Sequence, residues 1–191
     1  MWQRDEANGH EGTVGVLLED GTEPGPVYFD SASGSAFYES TDWWVYNGTL
    51  RAPTAERMRA RCTCGWRGQN TYPIDWNRVQ SHRPFAYDTS GPEADWETHM
   101  DDVAARTVPV PEDVARLLSQ IRRQLEDIED EQPLVALRIV GELEAIISSA
   151  GPYAARTATA EIPMPRIAEA LGMTEKAALS RLYRYASPLR H

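Results

Sequence analysis

Two cysteines separated by a single residue are the part of this sequence best suited to chemistry. They lie in the segment C-T-C-G-W-R-G, which begins at Cys62 and in which Gly65 can relax a tight turn around the two thiols. Thiolates and imidazoles are the ligands that hold tetrahedral zinc in proteins. The sequence therefore predicts a structural Zn²⁺ site with Cys62, Cys64, His82 and His99 as its four ligands.

The same two cysteines also have a simpler interpretation. In a reducing cytosol, unpaired cysteines are common as small apolar residues, and His99 would then be an ordinary core or surface histidine. A disulfide between Cys62 and Cys64 would be strained because the two residues are so close in sequence. Zinc ligands and metal-free thiols are thus the two interpretations of this motif.

The wider pattern around the cysteines resembles a known module. C-x-C-G-W-x-G followed by W-x-x-H resembles a segment of small actinobacterial proteins of unassigned function, with Trp96 and His99 supplying the second half here. We expect this W-x-x-H to lie on a helix that begins near Gly91-Pro92, since proline is favoured in the first turn of a helix.

A second motif lies near the end of the chain, where two short apolar periodicities meet at Gly172. Each set falls on one face of a helix. The first helix contributes Ile167, Ala168 and Leu171, and the second contributes Ala178, Leu182 and Tyr185. Gly172 can supply a positive-φ turn, Met173 can fill the space between the helices, and Thr174 can cap the second helix. Residues 165–185 therefore predict a helix-turn-helix.

This segment, I-A-E-A-L-G-M-T-E-K-A-A-L-S-R-L-Y-R-Y, resembles the helix-turn-helix of region 4 in sigma-70-type factors. The order of the preceding helices resembles that of small actinobacterial DNA-binding proteins over residues 112–186. Ala178 replaces the β-branched core residue that is usual in the family, and no promoter-melting region precedes the motif. The resemblance therefore implies a mode of DNA binding, not sigma-factor activity.

A recognition helix over residues 175–185 would place polar side chains against double-stranded DNA. Seven residues form the predicted contact set: Arg166, Thr174, Glu175, Lys176, Ser180, Arg181 and Arg184. The hydroxyls can donate to phosphate oxygens, whereas the basic side chains can pair with phosphate or with guanine. Glu175 can accept from cytosine N4, or it can simply stabilise the helix N-terminus.

Net charge is unevenly distributed along the chain. The protein carries −10 overall, but residues 151–191 hold six basic residues against three acids, a local charge of +3. Local potential governs contact with phosphate, so the acidic total does not exclude DNA binding. The alternative is an adaptor protein, in which the acidic N-terminal part contacts a protein partner and the helical part mediates assembly.

The order of the patterns predicts an α+β protein in two parts. Residues 1–10 read as a flexible tail, 11–107 as a small antiparallel sheet with a helix, 108–111 as a Pro-rich linker and 112–191 as an all-α domain. Strands are expected at residues 13–18, 27–29, 36–46 and 56–62, the last as an edge strand, with a hairpin turn at Asn47-Gly48. Trp43, Trp44 and Tyr46 are either sheet core or a ligand platform.

Beyond the linker, two apolar stripes predict an antiparallel pair of helices that ends with Gly151 as a C-cap. A short helix from Pro152 to about residue 160 then leads into the helix-turn-helix. The stripes are wide enough to pack on the helix-turn-helix or to form a homodimer.

Several functional classes find no support in the sequence. The first ten residues lack the apolar segment of a signal peptide, and no apolar run approaches the ~20 residues that span a bilayer. We therefore expect a cytoplasmic protein that does not associate with membranes. The chain contains no P-loop, G-x-S-x-G or H-E-x-x-H motif, and Asp101-Asp102 reads as a solvated helix face, so we expect no enzymatic activity.

Overall fold

A computed structural model describes residues 1–4, 9–30 and 37–186 and divides the chain into two units, Met1–Ala105 and Arg106–His191. Strands and one long helix form the first unit, and helices alone form the second, which confirms the predicted α+β class. The boundary falls just before the predicted linker. A predicted turn at residues 31–35, residues 5–8 of the predicted tail and the chain end at 187–191 lie outside the described residues.

In the described part of the first unit, six strands make two antiparallel sheets. They are β1 (Trp2–Gln3), β2 (Glu11–Leu17), β3 (Val27–Asp30), β4 (Phe37–Ser40), β5 (Arg57–Cys62) and β6 (Tyr72–Pro73). The larger sheet has the order β1-β2-β5-β6, and β3 pairs with β4. Helix α1 (Ser90–Ala105) covers β2 and β5, and its buried Trp96 and Met100 pack on Ala60 and Cys62.

Up to residue 186, the second unit contains four helices: α2 (Glu112–Ile128), α3 (Pro133–Glu161), α4 (Met164–Ala170) and α5 (Glu175–Ala186). The core of this unit lies where the end of α3 meets α4 and α5, around Ala155, Ile167 and Leu182. Among the described residues, none of the helices combines the length and apolarity that a bilayer span needs.

Three local predictions for the first unit are wrong. The predicted edge strand is β5, which pairs on both sides and lies inside the sheet. The aromatic run at Trp43–Val45 forms a 3-10 turn instead of continuing β4. Asn47-Gly48 does not close a tight hairpin, because the chain returns only at Thr54, after Leu50 and Arg51 adopt positive φ.

The N-terminus also differs from the predicted flexible tail. Trp2 and Gln3 pair with Gly12 and Glu11 in the sheet. Arg4 forms ion pairs of 2.8 Å with Glu97 and Asp101 of α1. These contacts fix the first four residues to the sheet and the helix.

Helix α3 is continuous where the sequence predicted a break. The helix includes Gly151 and Pro152 and runs on to Glu161. A Cβ atom at Gly151 would lie 3.2 Å from the ring of Tyr185, so this glycine allows α5 to pack closely on α3 and does not end the helix. Pro152 is accommodated within the helix, although it cannot donate a backbone hydrogen bond.

At Gly12 the sheet lies very close to the side chains that cover it. A Cβ atom there would lie 2.6 Å from the ring of Trp96 and 2.7 Å from that of Trp2. We expect Gly12→Ala to lower the free energy of unfolding of the first unit by about 1–3 kcal/mol, the usual cost of overpacking. All six tryptophans lie in this unit, so urea titration followed by tryptophan fluorescence measures it.

The matched control is Gly25→Ala, because nothing lies within 4 Å of a Cβ atom at that position. Equal unfolding midpoints for the two variants would contradict the close approach of the sheet and the tryptophan rings.

Candidate functional site

The turn that follows β5 brings the two cysteines together. Gly65 N–H donates to the Cys62 carbonyl at 3.0 Å, and Gly65 adopts a φ of 96° that glycine tolerates. Trp66 N–H then donates to the Cys64 Sγ at 3.4 Å. Both sulfurs are thereby held on one side of a tight knuckle, as the sequence predicts.

Helix α1 supplies the first histidine. Trp96 is fully buried against the sheet, so one helical turn later His99 faces the knuckle. The His99 ring stacks on Trp66 with centroids 4.3 Å apart and planes 5° apart. Its Nε2 lies 3.4 Å from the Cys64 Sγ. The W-x-x-H motif thus combines a core anchor with a side chain directed at the cysteines.

The second histidine is His10, which is not among the ligands predicted from the sequence. The register of β2 on β5 places Gly12 opposite Cys62, so the residues just before Gly12 reach the knuckle. Thr63 fixes this approach, since its N–H donates to the Glu11 carbonyl and its hydroxyl donates to the Gly9 carbonyl. His10 is 6% exposed, and its Nδ1 lies 3.5 Å from the Cys62 Sγ.

His82, the predicted fourth ligand, is not part of this group. It is exposed in a turn, whereas the potential ligand atoms of His10, Cys62, Cys64 and His99 all lie within 4.8 Å of one another. The prediction fails at His82 because that loop does not return to the knuckle. His10 lies directly before β2, and this position could have indicated a metal ligand. It does so only once the pairing of β2 with β5 is known.

The spacing of the four side chains suits a tetrahedral metal ion. With Zn–S near 2.3 Å and Zn–N near 2.0–2.1 Å, a tetrahedron separates sulfur from nitrogen by about 3.6 Å. The two sulfur–nitrogen distances here are 3.4 and 3.5 Å. The group could therefore hold a metal ion.

The two thiols influence each other's protonation. The pKa of Cys62 is lowered, chiefly by the hydrogen bond from the Cys64 thiol and further by His10 and His99, and burial opposes this shift. The pKa of Cys64 is raised, because its thiol donates to Cys62 and because burial disfavours a second thiolate. Each thiol thus shifts the pKa of the other, and a bound divalent cation would favour the loss of both protons.

The predicted helix-turn-helix segment contains two short helices joined by a compact turn. Gly172 has a φ of 60°, and its neighbour Met173 is buried with Ala168 and Ala178 between α4 and α5. The Thr174 hydroxyl accepts from the Ala177 N–H at 3.2 Å and so caps α5. Thr174 therefore has a structural role.

One face of α5 packs on the core, and the opposite face is free. Ala178 and Leu182 are buried. Lys176, Ser180 and Arg184, which lie four residues apart, are all exposed on the other face. None of the three has a carboxylate in ion-pair contact among the described residues. Their polar groups are therefore available to a partner.

Three other residues predicted to contact DNA have different surroundings from Lys176, Ser180 and Arg184. Arg181 lies at the border of the core face, half-buried, and its Nε is buried without a hydrogen-bond partner among the described residues. Arg166 is exposed but pairs with Glu169 at 2.5 Å. Glu175 is exposed in the first turn of α5, where its charge suits the helix dipole.

The first helical pair of the second unit exposes much apolar surface. Helix α2 has no buried residue, and Leu117 and Leu118 are each 56% exposed. On α3, Leu137 and Ile146 are 65% and 64% exposed. Such a surface on two adjacent helices is typical of an interaction site.

No protein-family model, curated protein or solved structure matches the chain.

Proposed function

We propose that this protein is a sequence-specific regulator that binds double-stranded DNA through α5. The observation that carries this proposal is the outward face of α5, where Lys176, Ser180 and Arg184 are exposed and unpaired by acids opposite a well-packed core. The local excess of basic residues in this part of an acidic chain supports it further.

In this mechanism α5 enters the major groove. Its N-terminal Lys176 and the central Ser180 face base edges or the adjacent phosphates, and Arg184 contacts the backbone or a guanine. Arg166 could reach phosphate after leaving Glu169. Thr174 and Glu175 hold the start of the helix, and Arg181, beside the core, contributes less than the three residues of the free face.

Retention of the full-length protein on immobilised duplex DNA tests the proposal. The logarithm of the binding constant should fall linearly with the logarithm of salt concentration, because phosphate contacts release counterions. A protein that passes through at low salt would contradict DNA binding. If it passes through together with a stable protein partner, the result supports the alternative, an adaptor whose acidic N-terminal unit binds that partner.

We infer that the cluster of His10, Cys62, Cys64 and His99 binds Zn²⁺ in a structural role. The donor set of two thiols and two imidazoles is typical of structural zinc, and four protein ligands leave no open position for a substrate. A cytoplasmic location, where thiols stay reduced, suits this role. Metal analysis of the purified protein should give about one zinc per chain; a value near zero would contradict it.

We further propose that the apolar surface of α2 and α3 joins two copies of the chain. Two-fold dimers are the commonest oligomers, and paired helix-turn-helix units read two half-sites on DNA. Leu117→Glu with Leu118→Glu should convert a dimer to a monomer in light scattering after gel filtration, because both side chains are exposed within one protomer. Arg123→Glu, on the opposite face of α2, serves as control and should remain dimeric.

A further inference from the structure

Arg61 in the first unit is held by hydrogen bonds to uncharged groups. Its Nε donates to the Thr13 hydroxyl at 3.1 Å and its guanidinium donates to the Thr41 hydroxyl at 3.3 Å. Both partners are neutral. Among the described residues, no carboxylate lies within ion-pair distance of Arg61. The side chain is therefore fixed in orientation and still able to bind an anion.

The neighbouring arginines of the sheet are arranged differently. Arg59, two residues earlier on β5, pairs with Glu23, and Arg67 binds the same carboxylate at 2.8 Å. Burial raises the pKa of Glu23, but the hydrogen bonds from Arg59 and Arg67 outweigh it, so the pKa is lowered and the carboxylate stays charged. Glu23 is thus fully engaged elsewhere and is not a partner for Arg61.

Arg61 lines a cavity of about 620 Å³ on the first unit. This volume lies within the range of small-molecule sites, about 300–1,000 Å³. Two acids also line the cavity, but Asp42 accepts from the Ser40 hydroxyl at 2.9 Å and Glu11 accepts from Gln3 at 3.3 Å. Neither acid reaches Arg61.

Aromatic side chains complete the walls of the cavity. Trp44 and Trp2 line it and are each partly exposed. Trp44 makes an edge-to-face contact with the buried Trp43, which also lines the cavity, with centroids 5.9 Å apart at 83°. An indole and a hydrogen-bonded guanidinium that line one cavity suit a planar ring that carries a negative charge.

We propose that this cavity binds a small planar aromatic acid, whose ring packs against Trp44 and whose carboxylate or phosphate pairs with Arg61. This site uses no residue of α5 and does not depend on DNA binding. It assigns to the first unit the capacity to recognise a small molecule. Of the aromatic cluster at Trp43, Trp44 and Tyr46, Trp43 and Tyr46 are core and Trp44 is the part available to a ligand.

Isothermal titration of the full-length protein with salicylate tests the proposal, with its uncharged analogue salicylamide as the ligand control. We expect salicylate to bind within a range up to about 10 mM, and salicylamide to bind at least about tenfold more weakly, because it lacks the charge that Arg61 recognises. Adenosine monophosphate in a parallel titration distinguishes a phosphate from a carboxylate as the preferred anion.

Arg61→Gln should weaken salicylate binding by about tenfold or more. Arg57→Gln changes the same charge on the same strand but does not line the cavity, so it should leave affinity unchanged. Thr41→Val keeps the charge of Arg61 but removes one hydroxyl that orients it, so we expect a severalfold loss of salicylate affinity. Because Thr41 is exposed, this variant should fold.

Three results would overturn the proposal. They are no binding of salicylate or adenosine monophosphate, equal binding of salicylate and salicylamide, and equal affinity of the wild type, Arg61→Gln and Thr41→Val for the tighter of the two anions.

Discussion

His10→Ala is expected to abolish stoichiometric zinc binding and to lower the free energy of unfolding of the first unit by about 4 kcal/mol or more, since loss of a metal is among the few causes of such large effects. The metal would join β5, α1 and the residue before β2, which are far apart in the chain. For a unit of this size, the melting temperature should fall by about 15 °C. Metal analysis and a thermal melt followed by tryptophan fluorescence measure the two effects.

His82→Ala is the matched control for this experiment. It removes the same side chain from an exposed turn outside the cluster and should leave zinc content and melting temperature unchanged. If His82→Ala loses zinc and His10→Ala keeps it, the assignment of the fourth ligand reverses. A chelator added to the wild type should reproduce the lower melting temperature of His10→Ala, because the variant acts through the metal.

The double variant Lys176→Ala, Arg184→Ala is expected to weaken duplex DNA binding by about 10- to 100-fold, in line with about 1–3 kcal/mol for a side chain that reads a base and less for one that contacts phosphate. Both side chains are exposed on the free face of α5, so their loss should not disturb the core around Ala178 and Leu182. Fluorescence anisotropy at several salt concentrations gives both affinity and its salt dependence. The salt slope should fall by about 2 if both residues contact phosphate.

Arg122→Ala with Arg138→Ala provides the control, since it removes the same charge from exposed positions on α2 and α3. If both double variants weaken binding equally, α5 has no special role and the effect comes from net charge alone. Unchanged affinity together with an unchanged salt slope in the α5 variant would likewise count against the proposed interface.

Features set by neighbouring residues were predictable from the sequence. The knuckle at Cys62 and Cys64 depends on one turn, and the direction of His99 depends on one helical turn after Trp96. The turn at Gly172 and the cap at Thr174 are equally local. Patterns of this kind reflect backbone preferences and side-chain spacing that a sequence displays directly.

Features set by long-range pairing were not predictable in the same way. His10 reaches the cysteines only because β2 pairs with β5 in a particular register, which no local pattern specifies. For the same reason β5 could not be placed inside the sheet from its own residues. Gly151 resembled a helix end, but its role is to admit the ring of Tyr185 from a helix more than thirty residues later.

The uninterrupted course of α3 through Pro152 has a consequence for amide hydrogen exchange. Proline lacks an N–H, so the carbonyl four residues earlier, at Ser148, loses its usual helical donor. The helix therefore has one backbone hydrogen bond fewer at this point. The part after Pro152 packs on α4 and α5, whereas Leu137 and Ile146 in the part before it are exposed. The two parts therefore form separate opening units, with slow exchange after the proline and faster exchange before it. Binding of a second copy of the chain to the exposed surface would slow amide exchange only in the part of α3 before Pro152.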